Sequence, residues 1–158
     1  MWFPIEAGRQ LEKREVTDVS EFRVLFVDDE VDFLETILKR MQKRGLTAHG
    51  VHSGEEAIAW LQQNPADVVV LDVRMKGMDG IQTMRQLKSR YPTIEVIMLT
   101  GHASLEIARE GMKLGAFDYL MKPINLDELL YKLEDAYQKK NIQQQKNQKI
   151  EEVTKPSD

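Results

Sequence analysis

The sequence predicts an α/β three-layer sandwich, a parallel sheet with helices on both faces. Three observations carry that expectation. Short apolar runs alternate with helix-period segments five times, with no internal repeat and no long structureless loop. The strongest runs, RVLFV and VVVL, are apolar at nearly every position, as strands buried on both faces must be. Four of the five runs also close on a polar residue, and open α/β sheets carry their chemistry at the carboxyl ends of strands.

Residues 1–21 are mixed and polar after an apolar start at Trp2, Phe3 and Ile5, and are expected to form a tail that docks or stays disordered. The first strand, 23–27, ends in Asp28, Asp29 and Glu30. Val31, Leu34, Ile37, Leu38 and Met41 then recur at helical spacing, and Gly45 closes that helix. Residues 46–52 read as a weaker strand. Ser53 and Glu56 have capping-box spacing and open a helix with Ala57, Ile58 and Leu61 inward, stopping before Pro65. The third strand, 68–71, ends at Asp72 and breaks into a loop carrying Gly77 and Gly80. Asp79 is placed to cap a helix reaching about Arg90, with Ile81, Met84 and Leu87 inward.

The fourth strand, 95–99, ends in Thr100, Gly101 and His102. Ser104 is placed to cap a helix that closes near Gly115, with Ile107, Ala108 and Met112 on its inner face. The fifth strand, 117–121, ends in Lys122 and Pro123. Asn125 and Glu128 repeat the capping-box spacing before a helix presenting Leu126, Leu129, Leu130, Leu133, Ala136 and Tyr137. Beyond it the apolar stripe fades into Gln, Lys and Asn. Residues 138–158 are therefore expected to be a polar tail, helical or disordered.

Composition narrows the function classes. A chain of 158 residues, 42% hydrophobic and 30% charged, suits one domain with short tails. The net charge of −4, with no basic cluster on a recognition helix, argues against direct nucleic-acid binding. Cysteine is absent, which removes disulfides and thiol catalysis. With no apolar run of membrane-spanning length and no signal-peptide pattern, a cytoplasmic protein without membrane attachment is expected. His49, His52 and His102 are scattered and none is read as a metal ligand.

Were the first and third strands neighbours, Asp28, Asp29 and Asp72 would meet in one crevice. Crowded carboxylates repel, so positive charge belongs there. Mg²⁺ suits such oxygens, and Lys122 adds a fixed cation at the same rim. Three carboxylates, one Mg²⁺ and one Lys leave no net charge. A pocket of this kind is suited to placing a phosphoryl group on Asp72. A carboxylate with an ordinary pKa of about 3.9 is already ionised at neutral pH and needs no general base. The resulting acyl phosphate is energetic and short-lived, as a switch requires.

The segments VLFVDDE (24–30), DVRMKGMDG (72–80), LTGH (99–102) and KP (122–123) resemble those of the receiver domain of bacterial two-component response regulators. The likeness covers roughly 22–137, which is taken as the domain. It implies a flavodoxin-like five-stranded sheet of order 2-1-3-4-5. It also implies that Asp72 is the phosphoacceptor and that Asp28 (through water), Asp29, Asp72 and the backbone carbonyl of Arg74 hold Mg²⁺. Lys122 then pairs with the phosphoryl group, Thr100 is the switch hydroxyl, and Tyr119 is the aromatic partner that changes rotamer. The peptide before Pro123 is expected to be cis. The resemblance further implies a sensor histidine kinase or phosphotransfer protein as donor and a downstream protein partner. It leaves room for a phosphorylation-dependent homodimer, and for catalysis of nothing beyond the domain's own phosphorylation and dephosphorylation. Arg74 and His102, two residues past Asp72 and Thr100, are expected to slow self-dephosphorylation. Lys76 departs from the family, where proline is common. No output domain follows these segments, so the chain reads as a single-domain regulator or a fragment of a larger one.

Two rivals remain open at this stage. A phosphatase of the haloacid dehalogenase type also uses Asp, Mg²⁺, Thr and Lys, but it needs a second Asp two residues after a first-strand nucleophile, where this chain has Glu30. A flavodoxin-like cofactor binder needs a phosphate-cradling loop after the first strand, and none is present.

Overall fold

Strands β1 (Arg23–Val27), β2 (Thr47–Val51), β3 (Val68–Asp72), β4 (Glu95–Thr100) and β5 (Asp118–Met121) pair in parallel in the order β2-β1-β3-β4-β5. The computed structural model describes residues 22–75, 78–101 and 104–154. The expectations placed on 1–21, Lys76, Gly77, His102 and the last four residues lie outside the described residues. Between the strands run α1 (Val31–Lys43), α2 (Gly54–Leu61), α3 (Gly80–Arg90) and α4 (Leu105–Lys113), and α5 (Leu126–Thr154) follows β5.

The sheet's two faces follow the period of two. Leu25, Val27, Val69, Leu71, Val96 and Met98 face one way and pack on α2 and α3. Their neighbours Val24, Phe26, Val68, Val70, Ile97 and Leu99 face the other way, onto α1 and α5. Each such side chain stabilises the fold by roughly 1.5–3 kcal/mol when fully buried. The central strand β3 is buried at all positions, whereas edge strand β2 alternates between exposed and covered. That is why 46–52 is the weaker pattern in the sequence: an edge strand has less to bury.

Helix termini follow local chemistry, with two departures. Gly45, at φ +79°, turns the chain out of α1 in the left-handed region that glycine tolerates. Ser53 accepts from the Glu56 N–H at 3.1 Å, but the Glu56 carboxylate takes the His52 N–H instead of closing the box. The full reciprocal box lies at Asp79 and Gln82. Ser104 does not cap α4; its hydroxyl is buried without a hydrogen-bond partner.

Helix α4 also differs in phase from expectation. Ala108 and Gly111 are its buried residues and Met112 is exposed. A side chain at Gly111 would run into Met98 Sδ, so the helix approaches β4 through small residues and turns Met112 outward. Val31 is likewise exposed, on the first turn of α1 at the sheet's carboxyl edge.

Helix α5 runs unbroken for 29 residues, about 43 Å at 1.5 Å per residue. Its first half is core. Its continuation is held by Lys140, whose buried Nζ lies 2.6 Å from Asp67 Oδ1, and by Lys139, 3.4 Å from Glu95. No described helix is long and apolar enough to cross a membrane.

Candidate functional site

Strand pairing brings the polar strand ends together. Val27 pairs with Leu71 and Asp72 with Leu99, so the residues after β1, at the end of β3 and at the end of β4 share one edge. Backbone bonds from Asp28 N–H to Val51 O (3.1 Å), Val73 N–H to Leu99 O (3.0 Å) and Lys122 N–H to Thr100 O (2.8 Å) carry the sheet one step past each strand. Asp28, Asp29 and Asp72 each present a carboxylate oxygen within 4.8 Å of the others. Asp28 and Asp72 are buried and Asp29 is half-buried.

Lys122 reaches this cluster from the far side of the sheet. Its ammonium lies 2.8 Å from Asp28 Oδ2, 2.8 Å from Glu30 Oε1 and 3.7 Å from Asp72 Oδ2. It also stands over the Phe33 ring, 4.3 Å from the centroid. The peptide between Lys122 and Pro123 is cis.

Burial pushes the Asp72 carboxyl up to about 6. The charges of Asp28 and Asp29 add to the rise, while the Arg74 N–H, 3.1 Å from Asp72 Oδ1, and the Lys122 charge oppose it. Burial by itself would lower the Lys122 ammonium. Hydrogen bonds to Asp28 and Glu30 outweigh it and hold Lys122 above its ordinary value. The cluster thus carries more negative charge than its one cation offsets. Hard oxygen donors in that condition fit Mg²⁺, which accepts carboxylates and backbone carbonyls.

The loop after β3 is pinned on both sides. Gly80 must be glycine-sized, because a Cβ there would lie 2.5 Å from Val73 Cα. Glu55 of α2 accepts the Met78 N–H at 3.2 Å and ties the loop to the neighbouring helix. Beside Asp29 a depression of ≈ 570 Å³ opens, walled by Arg74, Met75, Ile81, Ile107 and Glu110.

Asp28, Asp29, Asp72 and Lys122 therefore converge as the sequence predicts. Thr100 is at the same edge and fully buried, but its hydroxyl donates to Gly101 O at 2.9 Å. Tyr119 is half-buried on β5, opposite Met98. Sequence reasoning missed Glu30 and Phe33 as members of the site. Glu30 is visible there only as the third acid in a row, and its contact with Lys122 spans 92 positions.

Known proteins resemble this chain in sequence and fold. The family described as "Response regulator receiver domain" matches residues 24–134. The chain is 37% identical over 122 residues to the DNA-binding transcriptional regulator NtrC of Salmonella typhimurium, covering 77% of this chain and 26% of that protein. It is 37% identical over 113 residues to the transcriptional regulatory protein ZraR of the same organism, covering 72% and 26%. The chain thus spans about a quarter of the length of these curated relatives. Among solved structures, a response regulator receiver domain protein from Clostridium thermocellum superposes with a TM-score of 0.74 at 32% identity, covering 77% of this chain and 98% of that one.

Proposed function

Because this chain belongs to the family of response regulator receiver domains, we propose that Asp72 is the carboxylate through which it takes up a phosphoryl group in two-component signalling. The observation that carries the assignment is the cluster itself. Asp72 ends the central strand with Asp28 and Asp29 carboxylates within 4.8 Å and the Lys122 ammonium at 3.7 Å.

Asp28, Asp29, Asp72 and the backbone carbonyl of Arg74 would hold Mg²⁺. When bound, the ion supplies positive charge to the oxygens of the transferring group. An Asp72 oxygen attacks phosphorus as the P–N bond to a phosphohistidine breaks. The departing imidazole keeps that electron pair and takes a proton from solvent. Lys122 steadies the new charge on the phosphoryl oxygens. The Thr100 hydroxyl turns from Gly101 O toward the phosphoryl group, and Tyr119 moves into the space it leaves.

The donor is a sensor histidine kinase or phosphotransfer protein in the cytoplasm. The output passes to a downstream protein partner or a phosphorylation-dependent homodimer, without nucleic-acid contact by residues 22–137. That segment acts as the receiver unit, 1–21 and 138–158 flank it, and it turns over no external substrate.

Incubation with acetyl phosphate and Mg²⁺ is expected to add one phosphoryl group by intact mass, and Asp72→Asn to abolish it. Undiminished labelling of that variant overturns the assignment. Sustained hydrolysis of a generic phosphate ester would instead favour a phosphatase.

A further inference from the structure

Lys122 is committed elsewhere before any phosphoryl group arrives. An ammonium has three N–H donors. One is taken by Asp28 Oδ2 at 2.8 Å, a second by Glu30 Oε1 at 2.8 Å, and the third side of the group lies over the Phe33 ring at 4.3 Å. Asp72 Oδ2, at 3.7 Å, is beyond hydrogen-bond reach. A phosphoryl oxygen on Asp72 therefore competes with these contacts for Lys122.

The three contacts are not equally easy to give up. Asp28 is 1% exposed, and its other oxygen is fixed by the Glu30 N–H at 2.9 Å. Leaving such a carboxylate unpaired is costly. The Glu30 side chain is 63% exposed, so water replaces its lost partner with little penalty. Glu30 is therefore the ligand that exchanges.

From this geometry we infer that Glu30 is a positioning residue that restrains Lys122 in the unphosphorylated state, and that its release accompanies phosphorylation of Asp72. The inference rests on the reading of Asp72 as acceptor. Glu30 acts as a brake: it stabilises the state in which Lys122 donates to Asp28 and Glu30 and only its charge faces Asp72. Its side chain caps no backbone N–H of α1, so changing it removes no helix cap.

The test uses beryllofluoride as a stand-in for the phosphoryl group, at saturating Mg²⁺, with the original protein, Glu30→Gln and Glu30→Asp. Glu30→Gln is expected to raise beryllofluoride affinity about two- to fivefold, the range that an exposed ion pair spans. Glu30→Asp keeps the local negative charge but is one methylene too short to hold Lys122, so it should match Glu30→Gln. The Lys122 Cε resonance of the unliganded protein should move in both variants. Unchanged or weaker affinity in Glu30→Gln overturns the inference. Original affinity in Glu30→Asp also overturns it, because the effect would then come from the field of the charge and not from the contact. If the original protein neither binds beryllofluoride nor takes up phosphate, the acceptor reading itself falls, a result distinct from a normal original with unaltered variants.

Discussion

At the scale of single residues, Asp72 is where elementary expectation and environment part. A free carboxylate titrates near pH 3.9, whereas burial beside two other acids raises this one to about 6. It is still about nine-tenths ionised at pH 7, so it remains a competent nucleophile without a base. The sign of the linkage follows from the direction of the shift. A folded-state pKa above the unfolded value means that the fold favours the protonated form. Asp72 therefore adds stability below about pH 4 and loses it as pH rises through about 6. In protein stripped of Mg²⁺, Asp72→Asn should raise stability at pH 7.5 by roughly 2–3 kcal/mol, a gain largely gone near pH 4. Thermal melts in chelator across that range check it, and equal melting temperatures at pH 7.5 contradict the raised pKa. Restoring Mg²⁺ should narrow or reverse the gain, because the variant gives up a charged ligand. The site was legible in sequence where it depends on strand ends: Asp28, Asp29, Asp72 and Lys122 each close a predicted strand. It was not legible where it depends on side-chain reach. The same triplet DDE that supplies two predicted metal ligands also supplies Glu30, and no periodicity tells which acid turns toward Lys122.

At the scale of elements, patterns set by burial were readable and those set by long-range charge were not. Strands β1, β3 and β4 declare themselves because they are buried on both faces. Helix α5 is readable only through Tyr137, where the leucine stripe ends. What fastens its continuation is an ion pair between residues 73 positions apart, in which Lys140 meets an Asp67 that also accepts from the Arg23 backbone and guanidinium. Burial would raise the Asp67 carboxyl, but these bonds together hold it below its ordinary range. With the folded pKa depressed, this contribution is present above about pH 4 and is lost as pH falls below it. Asp67→Asn leaves the Lys140 ammonium buried and uncompensated, a change that costs roughly 3–5 kcal/mol when one partner of a buried pair is removed. Lys140→Met should cost less, because Arg23 still satisfies Asp67 and the methionine fills the space. Hydrogen exchange over 138–154 reads the anchoring directly. Protection should collapse toward the domain boundary in Asp67→Asn and persist in part in Lys140→Met. Equal protection in all three proteins would mean that helix propensity alone holds the extension. Helix α4 teaches the converse lesson. Ile107, Ala108 and Met112 fit a helical stripe, yet the close approach to Met98 selects Ala108 and Gly111, and size decided where hydrophobicity could not.

At the scale of the whole molecule, the question is how a group at the carboxyl edge of the sheet alters the face formed by α4, β5 and α5. On the proposed function Thr100 would be the link, and its size follows from hydrogen-bond energies. Its hydroxyl already donates to Gly101 O, so moving to a phosphoryl oxygen exchanges one hydrogen bond for a stronger one. A neutral bond is worth about 0.5–1.5 kcal/mol and one to a charged acceptor about 1.5–3, so the net drive is on the order of 1 kcal/mol. That corresponds to about a fivefold shift between two states. It is far short of the roughly 10⁴-fold preference needed to carry an equilibrium from 1:99 to 99:1. On the inference drawn above, Lys122 exchanging Glu30 for the same phosphoryl group would add a second coupling, for which the Lys122 N–H bond to Thr100 O offers a route. Two modest couplings meeting at one backbone contact predict a graded defect when either is lost. Thr100→Ala should still be labelled on Asp72 but show reduced amide chemical-shift change over 104–137 on adding beryllofluoride, along the same directions as the original protein. Shifts of full size across that face would show that Thr100 carries none of the coupling. Their complete loss would show that it carries all of it, and that the Lys122 exchange does not reach α4.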